Sequence, residues 1–485
     1  MRRALALVLS TIFVVAVFAR GTSWTDTPVD PSIEPGEYAL IAVTHGASNA
    51  VAAAAEAVGA SHVASLSAID VVTARVSASA LGHLAHDPRV VAIASDADVV
   101  AAGRGQQFEK VKGAASPGIS VVNAQAAWRT ATGKGVTVAV MDTGIADHPD
   151  LTGSVIARVN FVDDDETEAD PSGHGTFVAG LIAAHGATFR GVAPDAKLVS
   201  LRVLDLNGHG TMRSVLAAFD WLLKHRIEYG IRVLSLSFGA PQKASYHRTL
   251  LAGVVESAHF AGITVLSAAG NGGPLPGSVV MPGADPFVVT VGSLADQGTL
   301  ATSDDRESVF SGRGPTRDGF TKPDVLAPGE HVVSLRATGS AMDRSSHDGS
   351  SGSAYARLSG TSASTAIAAG VAALVLQAHP AYRPTAVKGA LVAGTRHVPG
   401  TKTRALLADA ALTVQPARVN VGIWPSYVLV YMLAKSGLVL TSGISWEGIS
   451  WEGISWETIS WEGVAWESVS WEGIDWELLT LEPRS

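Results

Sequence analysis

The chain has 485 residues, with 47% apolar and 16% charged side chains and no cysteine. That length exceeds one ordinary domain, and the apolar share supplies a sizeable core, so global disorder is excluded. The missing cysteines exclude disulfides, cysteine-based metal sites and a thiol nucleophile, and a net charge of −9 leaves no basic footprint for nucleic acid.

Residues 1–19 read as a secretion signal. Arg2 and Arg3 precede an apolar run from Ala4 to Phe18, and Val17-Phe18-Ala19 suits cleavage. A secreted or cell-surface location follows, with an uncleaved N-terminal anchor as the alternative. Residues 38–100 form a small separate module. Tyr38–Val43, Val71–Val76 and Val90–Ile93 read as strands, and Ser48–Val58 and Ala80–His86 as helices. A β-α-β-β-α-β, ferredoxin-like α+β order is suggested. Residues 101–118 collect Gly, Gln, Lys, Ser and Pro, as an exposed linker does.

Residues 119–412 alternate strand and helix signals. Val136–Met141, Lys197–Val203, Val233–Ser237, Thr264–Ser267 and Phe287–Val291 are short apolar runs. Met212–His225 and Thr249–Ala261 are helix-like. The pattern predicts an α/β fold, a parallel sheet with helices on both faces. Residues 413–442 connect onward. Within them Val421–Leu440 is apolar but interrupted by Pro425 and Lys435. A β-rich packing segment is expected there, because Lys435 is costly in lipid, and a membrane span is the alternative. Residues 443–477 are a Trp-rich pentad repeat that carries seven of the eleven tryptophans, from Trp446 to Trp476. Residues 443–485 hold eight Glu and one Asp against one Arg, so most of the net charge sits in this tail. Surface attachment or self-association is one reading of the repeat, and a sticky low-complexity tail is the other.

Three motifs carry chemistry. Val138-Ala-Val-Met-Asp142-Thr-Gly144 is an apolar strand ending in a carboxylate, at the sheet edge where open α/β folds place their sites. Gly173-His174-Gly175-Thr176 places a histidine at a helix start between two glycines. Ser359-Gly360-Thr361-Ser362 turns into the apolar helix Ala366–Gln377. Alone, each is also read as a turn Asp, a loop His or a Ser cap. Their order, Asp then His then Ser, sharpens the reading.

On these three motifs the chain, from about Ile119 to Leu412, resembles the subtilisin-like serine proteases (subtilases). The resemblance implies Ser362 as nucleophile, His174 as general base and Asp142 as its orienting partner. Ala268-Ala-Gly-Asn271 matches the family's oxyanion segment, which makes Asn271 the amide donor, and Ser237-Phe238-Gly239 matches the edge that pairs with extended substrate. Two departures stand out: Ser362 is followed by Ala363-Ser-Thr-Ala-Ile367 instead of Met-Ala-Ser-Pro-His, and Phe177 replaces a common second histidine. The 38–100 module resembles the family's inhibitory propeptide. A self-processing zymogen is implied, cut in the linker between Gly103 and Gly118. Expected partners are peptide or protein substrates and the chain's own propeptide. No catalytic cofactor is expected. For structural calcium, the resemblance implies Asp150, because His148-Pro-Asp150-Leu matches a family segment whose Asp is often a ligand. Asp163, Asp164, Asp165, Glu166 and Asp170 crowd one loop, with Asp163, Asp165 and Asp170 as the candidates there; a solvated acidic loop is the alternative. The rival for the whole chain is a catalytically silent subtilase scaffold that binds surfaces through its tail.

Overall fold

The computed structural model describes residues 29–102, 109–110, 118–163, 165, 167, 169–345 and 354–435. The expected signal, most of the linker and the tryptophan repeat lie outside the described residues.

The N-terminal module folds as β1 (Tyr38–Val43), α1 (Ser48–Ala57), β2 (Ser61–Leu66), β3 (Val71–Arg75), α2 (Ala78–Ala85) and β4 (Val90–Ser95). Its antiparallel sheet has the order β2-β3-β1-β4. Alternate residues of β1 divide the work. Ala39, Ile41 and Val43 enter the module's own core beneath α1 and α2, whereas Leu40 and Ala42 join a second core shared with the rest of the protein. A sheet with two apolar faces needs a cover on each, so the module is built to dock. After it come two short strands, β5 (Asp98–Ala101) and β6 (Glu109–Lys110).

The larger domain is built on β7 (Thr137–Asp142), β8 (Val155–Asn160), β9 (Lys197–Arg202), β11 (Ile231–Leu236), β13 (Thr264–Ala268), β14 (Val289–Ala295) and β16 (Val325–Pro328), all parallel to their neighbours. The order is β8-β9-β7-β11-β13-β14-β16. β15 (Arg306–Glu307) lies beside β14, and β20 (Ala405–Leu406) and β19 (Thr395–Arg396) close one edge. β7 sits between β9 and β11, where successive strands leave in opposite directions. That is the topological switch point, and its carboxyl end is where a doubly wound sheet opens a crevice. Val138 and Val140 face the core of one side and Ala139 and Met141 that of the other. Burial on both faces explains why these strands read as unbroken apolar runs.

Helices α3 (His174–Ala183) and α6 (Thr361–Ala378) pack together on one face. Helices α4 (Met212–His225) and α5 (Leu250–Phe260) cover the other. α6 is apolar and long enough to cross a membrane, but 89% of it is buried inside the protein. Its all-round hydrophobicity belongs to a core helix. It begins at Thr361 without the proline usual in the resembling family.

The third region departs from expectation. Residues Tyr427–Lys435 form a helix, α7, not a β segment. Pro425 ends the preceding chain, and the Ser426 hydroxyl accepts from Leu429 N at 3.3 Å, a cap that starts the helix. Ser426 in turn donates through N and Oγ to the buried Glu256 carboxylate at 2.6–2.8 Å. Burial, with Asp285 alongside, pushes Glu256 well above the ordinary carboxyl range, and burial pushes Asp285 up to about 7. Groups with raised carboxyl pKa values hold their protons more tightly when folded. Their stabilisation is complete below the unfolded value near 4 and is lost as pH climbs through the raised folded values, about 7 for Asp285. Glu256→Gln keeps an acceptor for Ser426 and removes the titration. Urea unfolding at pH 5 and pH 8 should therefore differ less in the variant than in the parent. Equal pH dependence in both would contradict this account.

Candidate active site

Asp142 ends β7 at the switch point and is buried. Its Oδ1 accepts from Thr143 N and lies 2.7 Å from His174 Nδ1. His174 opens α3. Burial alone lowers its pKa, but the charge and hydrogen bond of Asp142 outweigh burial and raise it. The contact fixes the tautomer, with the proton on Nδ1 and the lone pair on Nε2. Nε2 is buried and makes no hydrogen bond.

The motif glycines let these two elements approach. Gly144 has φ +110°, and a Cβ there would meet Ala169 O at 2.4 Å. A Cβ on Gly175 would meet Gly144 O at 2.0 Å. A side chain at Gly175 would push the Asp142 loop away from α3, and one at Gly144 would push it away from the 169–170 segment that leads into α3.

Ser362 occupies the first turn of α6 and is fully buried. Its Oγ donates to Ala102 O at 2.6 Å and approaches Ser237 O at 3.3 Å. The same Ala102 oxygen accepts from Asn271 Nδ2 at 2.8 Å. The other end of the Asn271 amide is anchored, because Oδ1 accepts from Thr361 N at 3.0 Å and Thr361 Oγ1 at 2.9 Å. Those bonds decide which way the amide points.

Ala102 is delivered by β5, which runs antiparallel between β12 (Phe238–Gly239) and β10 (His209–Thr211). Phe238 pairs with Ala101 and Gly239 with Val100. Ala102 N donates to Ser237 O at 2.8 Å and Ala101 N to Gly208 O at 2.9 Å. The stretch just after the module is therefore an added strand in a cleft, held by main chain on both edges. Its side chains are small, and Val99 is fully buried in the shared core.

The four acids considered for calcium do not converge. Asp150 accepts from Tyr355 OH at 3.1 Å. Asp163 pairs with Arg213, and Asp165 with Arg202, which holds the Asp165 carboxyl well below its usual range. Asp170 is buried and takes hydrogen bonds from Thr143 Oγ1, Ser172 N, Gly173 N, Thr176 N and Thr176 Oγ1. Among the described residues no group of three metal-ligating side chains forms. These oxygens face protein donors and cations, so they do not fit a calcium site.

Asp170 has a different task. Its bonds tie Thr143, beside Asp142, to the backbone at the start of α3, beside His174. Its neighbours in sequence are acidic, so sequence reasoning grouped Asp170 with the acidic loop. Asp170→Ala strands several buried donors at once, each worth about 1–3 kcal/mol. Denaturant unfolding should show a loss of at least ~2 kcal/mol, and a loss below ~0.5 kcal/mol would refute the role. Thr361 and the Ala102 carbonyl were likewise without a role in the sequence.

A buried serine hydroxyl beside an anchored amide donor, and a histidine bound to an aspartate, set on one parallel sheet, are the groups that a serine-hydrolase class of site uses. The chain belongs to the subtilase family, whose sequence model matches residues 133–411. It is 42% identical to serine protease AprX of Bacillus subtilis over 276 residues, 55% of this chain and 62% of AprX. The matched stretch spans under two thirds of AprX. Against the M-protease of Shouchella clausii it is 33% identical over 67% of this chain and 73% of that protein. The crystal structure of fervidolysin from Fervidobacterium pennivorans matches 82% of this chain and 64% of its own, with a TM-score of 0.66 and 24% identity, a likeness of fold. The α/β architecture is thus subtilisin-like.

Proposed function

We propose that the protein is a secreted serine endopeptidase made as a self-processing zymogen, and that Ala102–Gly103 is its maturation bond. One observation carries this reading: Ala102 O lies within hydrogen-bond distance of both Ser362 Oγ and Asn271 Nδ2. A carbonyl between a nucleophile and an amide donor occupies the place of a scissile carbonyl. This bond lies just upstream of the Gly103–Gly118 interval expected from sequence. Secretion rests on the residues 1–19 alone.

In the reaction, Ser362 Oγ turns from Ala102 O toward His174 Nε2, the nitrogen that has no other partner. The hydroxyl proton passes to Nε2 as Oγ bonds to the Ala102 carbonyl carbon. Asn271 Nδ2 stabilises the oxyanion, and Asp142 stabilises the imidazolium. The carbon–nitrogen bond to Gly103 then breaks, and His174 gives its proton to the departing amine. Water, losing a proton to His174, releases Ala102 as a carboxylate and restores Ser362. Other substrates would add as β5 does, read by main chain at Ser237–Gly239 and by small apolar side chains. The test is the new terminus: mass spectrometry of the processed protein should show Gly103 as its first residue. A cut elsewhere, with Ala102–Gly103 intact, would overturn the assignment.

A further inference from the structure

The module's second apolar face is not covered by the catalytic domain alone. Leu40, Ala42, Leu66, Ile69, Val71 and Val91 share one core with residues of α4 and α5, and with Val428 and Met432 of α7. Helix α7 touches β1, β4 and α5 together. Met432 is 2% exposed, and its carbonyl accepts from His45 N, just beyond β1, at 2.9 Å. On the other side α7 is fixed to the catalytic domain. Ser426 is bound to Glu256, Tyr246 OH donates to Trp424 O at 2.8 Å, and the His247 and Tyr427 rings stack at 4.5 Å. Gly253 of α5 leaves room for this, since a Cβ there would already lie 3.1 Å from Val428. One face of α7 thus belongs to the catalytic domain and another to the module.

We propose that α7 is a second docking surface for the inhibitory module, so that the C-terminal segment governs how long the module stays bound after the Ala102–Gly103 bond is cut. This rests on the zymogen reading for its consequence, but the contact itself does not. Two separate constraints hold the module end to end. β5 fills the cleft by main-chain pairing, and α7 grips the sheet by apolar burial. Cutting one peptide bond removes neither. Release requires Met432 and its neighbours to be uncovered to water.

The contact is tested in the full-length Ser362→Ala chain by hydrogen exchange. Met432→Glu should speed exchange of the His45 amide and of β1 and β4 by at least roughly tenfold, leaving β7 and β11 unchanged. In the active chain, both Met432→Glu and the milder Met432→Ala should shorten the co-elution of the cut module with the rest by roughly tenfold. The kcat/KM of the module-free enzyme on a chromogenic peptide should not change. Unchanged exchange at His45 would overturn the clamp whatever happens to processing, and so would faster exchange spreading to β7 and β11. Failure to cut after Ala102 in the active chain would overturn the zymogen reading while the exchange result still decides the clamp.

Discussion

Ser362→Ala is expected to leave the chain uncut at Ala102–Gly103 and to lower kcat on peptide substrates on the order of 10⁶-fold, the scale known for removing the nucleophile of subtilisin. The two effects have one cause. Ala102 already sits against Ser362 Oγ, so on the proposed reading the chain itself is the first substrate. Removing Oγ abolishes attack but leaves β5 paired with Phe238–Gly239, because those bonds are main chain. The variant should therefore accumulate as a folded precursor with its module in place. Intact mass and a terminal-sequence readout check the first part, and a chromogenic peptide assay the second. A serine-directed fluorophosphonate probe separates the enzyme from a catalytically silent scaffold. Processed wild type should label and Ser362→Ala should not. Normal processing of purified Ser362→Ala would mean that another protease does the cutting.

Much of the site was legible because its chemistry sits on local motifs. Asp142 stands at the end of an apolar strand, His174 between glycines, and Ser362 at a turn into a helix. Each is a short-range signal, and their order fixed the triad reading. What sequence could not supply were contacts between distant segments. The Ala102 carbonyl reaches Ser362 across 260 positions. Thr361 orients Asn271 from 90 positions away. Asp170 lies near acids in sequence, but folding turns it inward toward Thr143 and Thr176 while Asp163 and Asp165 find arginines. Charge clustering along a chain is a weak guide to clustering in space.

The same division holds for the fold. Met212–His225 was legible to the residue, since an amphipathic period and the Thr211 cap both mark it. The parallel strands were legible as apolar runs. Val421–Leu440 misled because an apolar stretch holding a proline has no clear period. For Tyr427–Lys435 the tertiary partners supply what the pattern lacks. Pro425 lies outside the helix, and Ser426 caps it, its own position fixed by Glu256 from α5. A nine-residue helix gains little from its own propensity. α7 exists because α5 on one side and the module on the other bury its apolar residues.

Asn271→Leu should lower kcat about 10²–10³-fold with little change in KM, the scale known for the oxyanion amide of subtilisin. The asymmetry follows from what Nδ2 does. It donates to a neutral carbonyl in the ground state and to a developing negative charge in the transition state, so its loss falls mainly on the barrier. Leucine preserves the shape and removes the donor. Asn271→Asp should be at least as damaging, because it places an acceptor and a charge where the oxyanion forms. Thr361 acts through Asn271 and is a positioning residue. Thr361→Val keeps the backbone donor to Oδ1 but removes the hydroxyl that accepts from Gly270 N and donates to Oδ1. It should lower kcat about tenfold, the equivalent of ~1.4 kcal/mol, and Thr361→Ser should restore it. Steady-state kinetics on a peptide substrate read all four variants. A rise in KM with unchanged kcat in Asn271→Leu would show that the amide binds substrate uniformly, and the oxyanion assignment would fall.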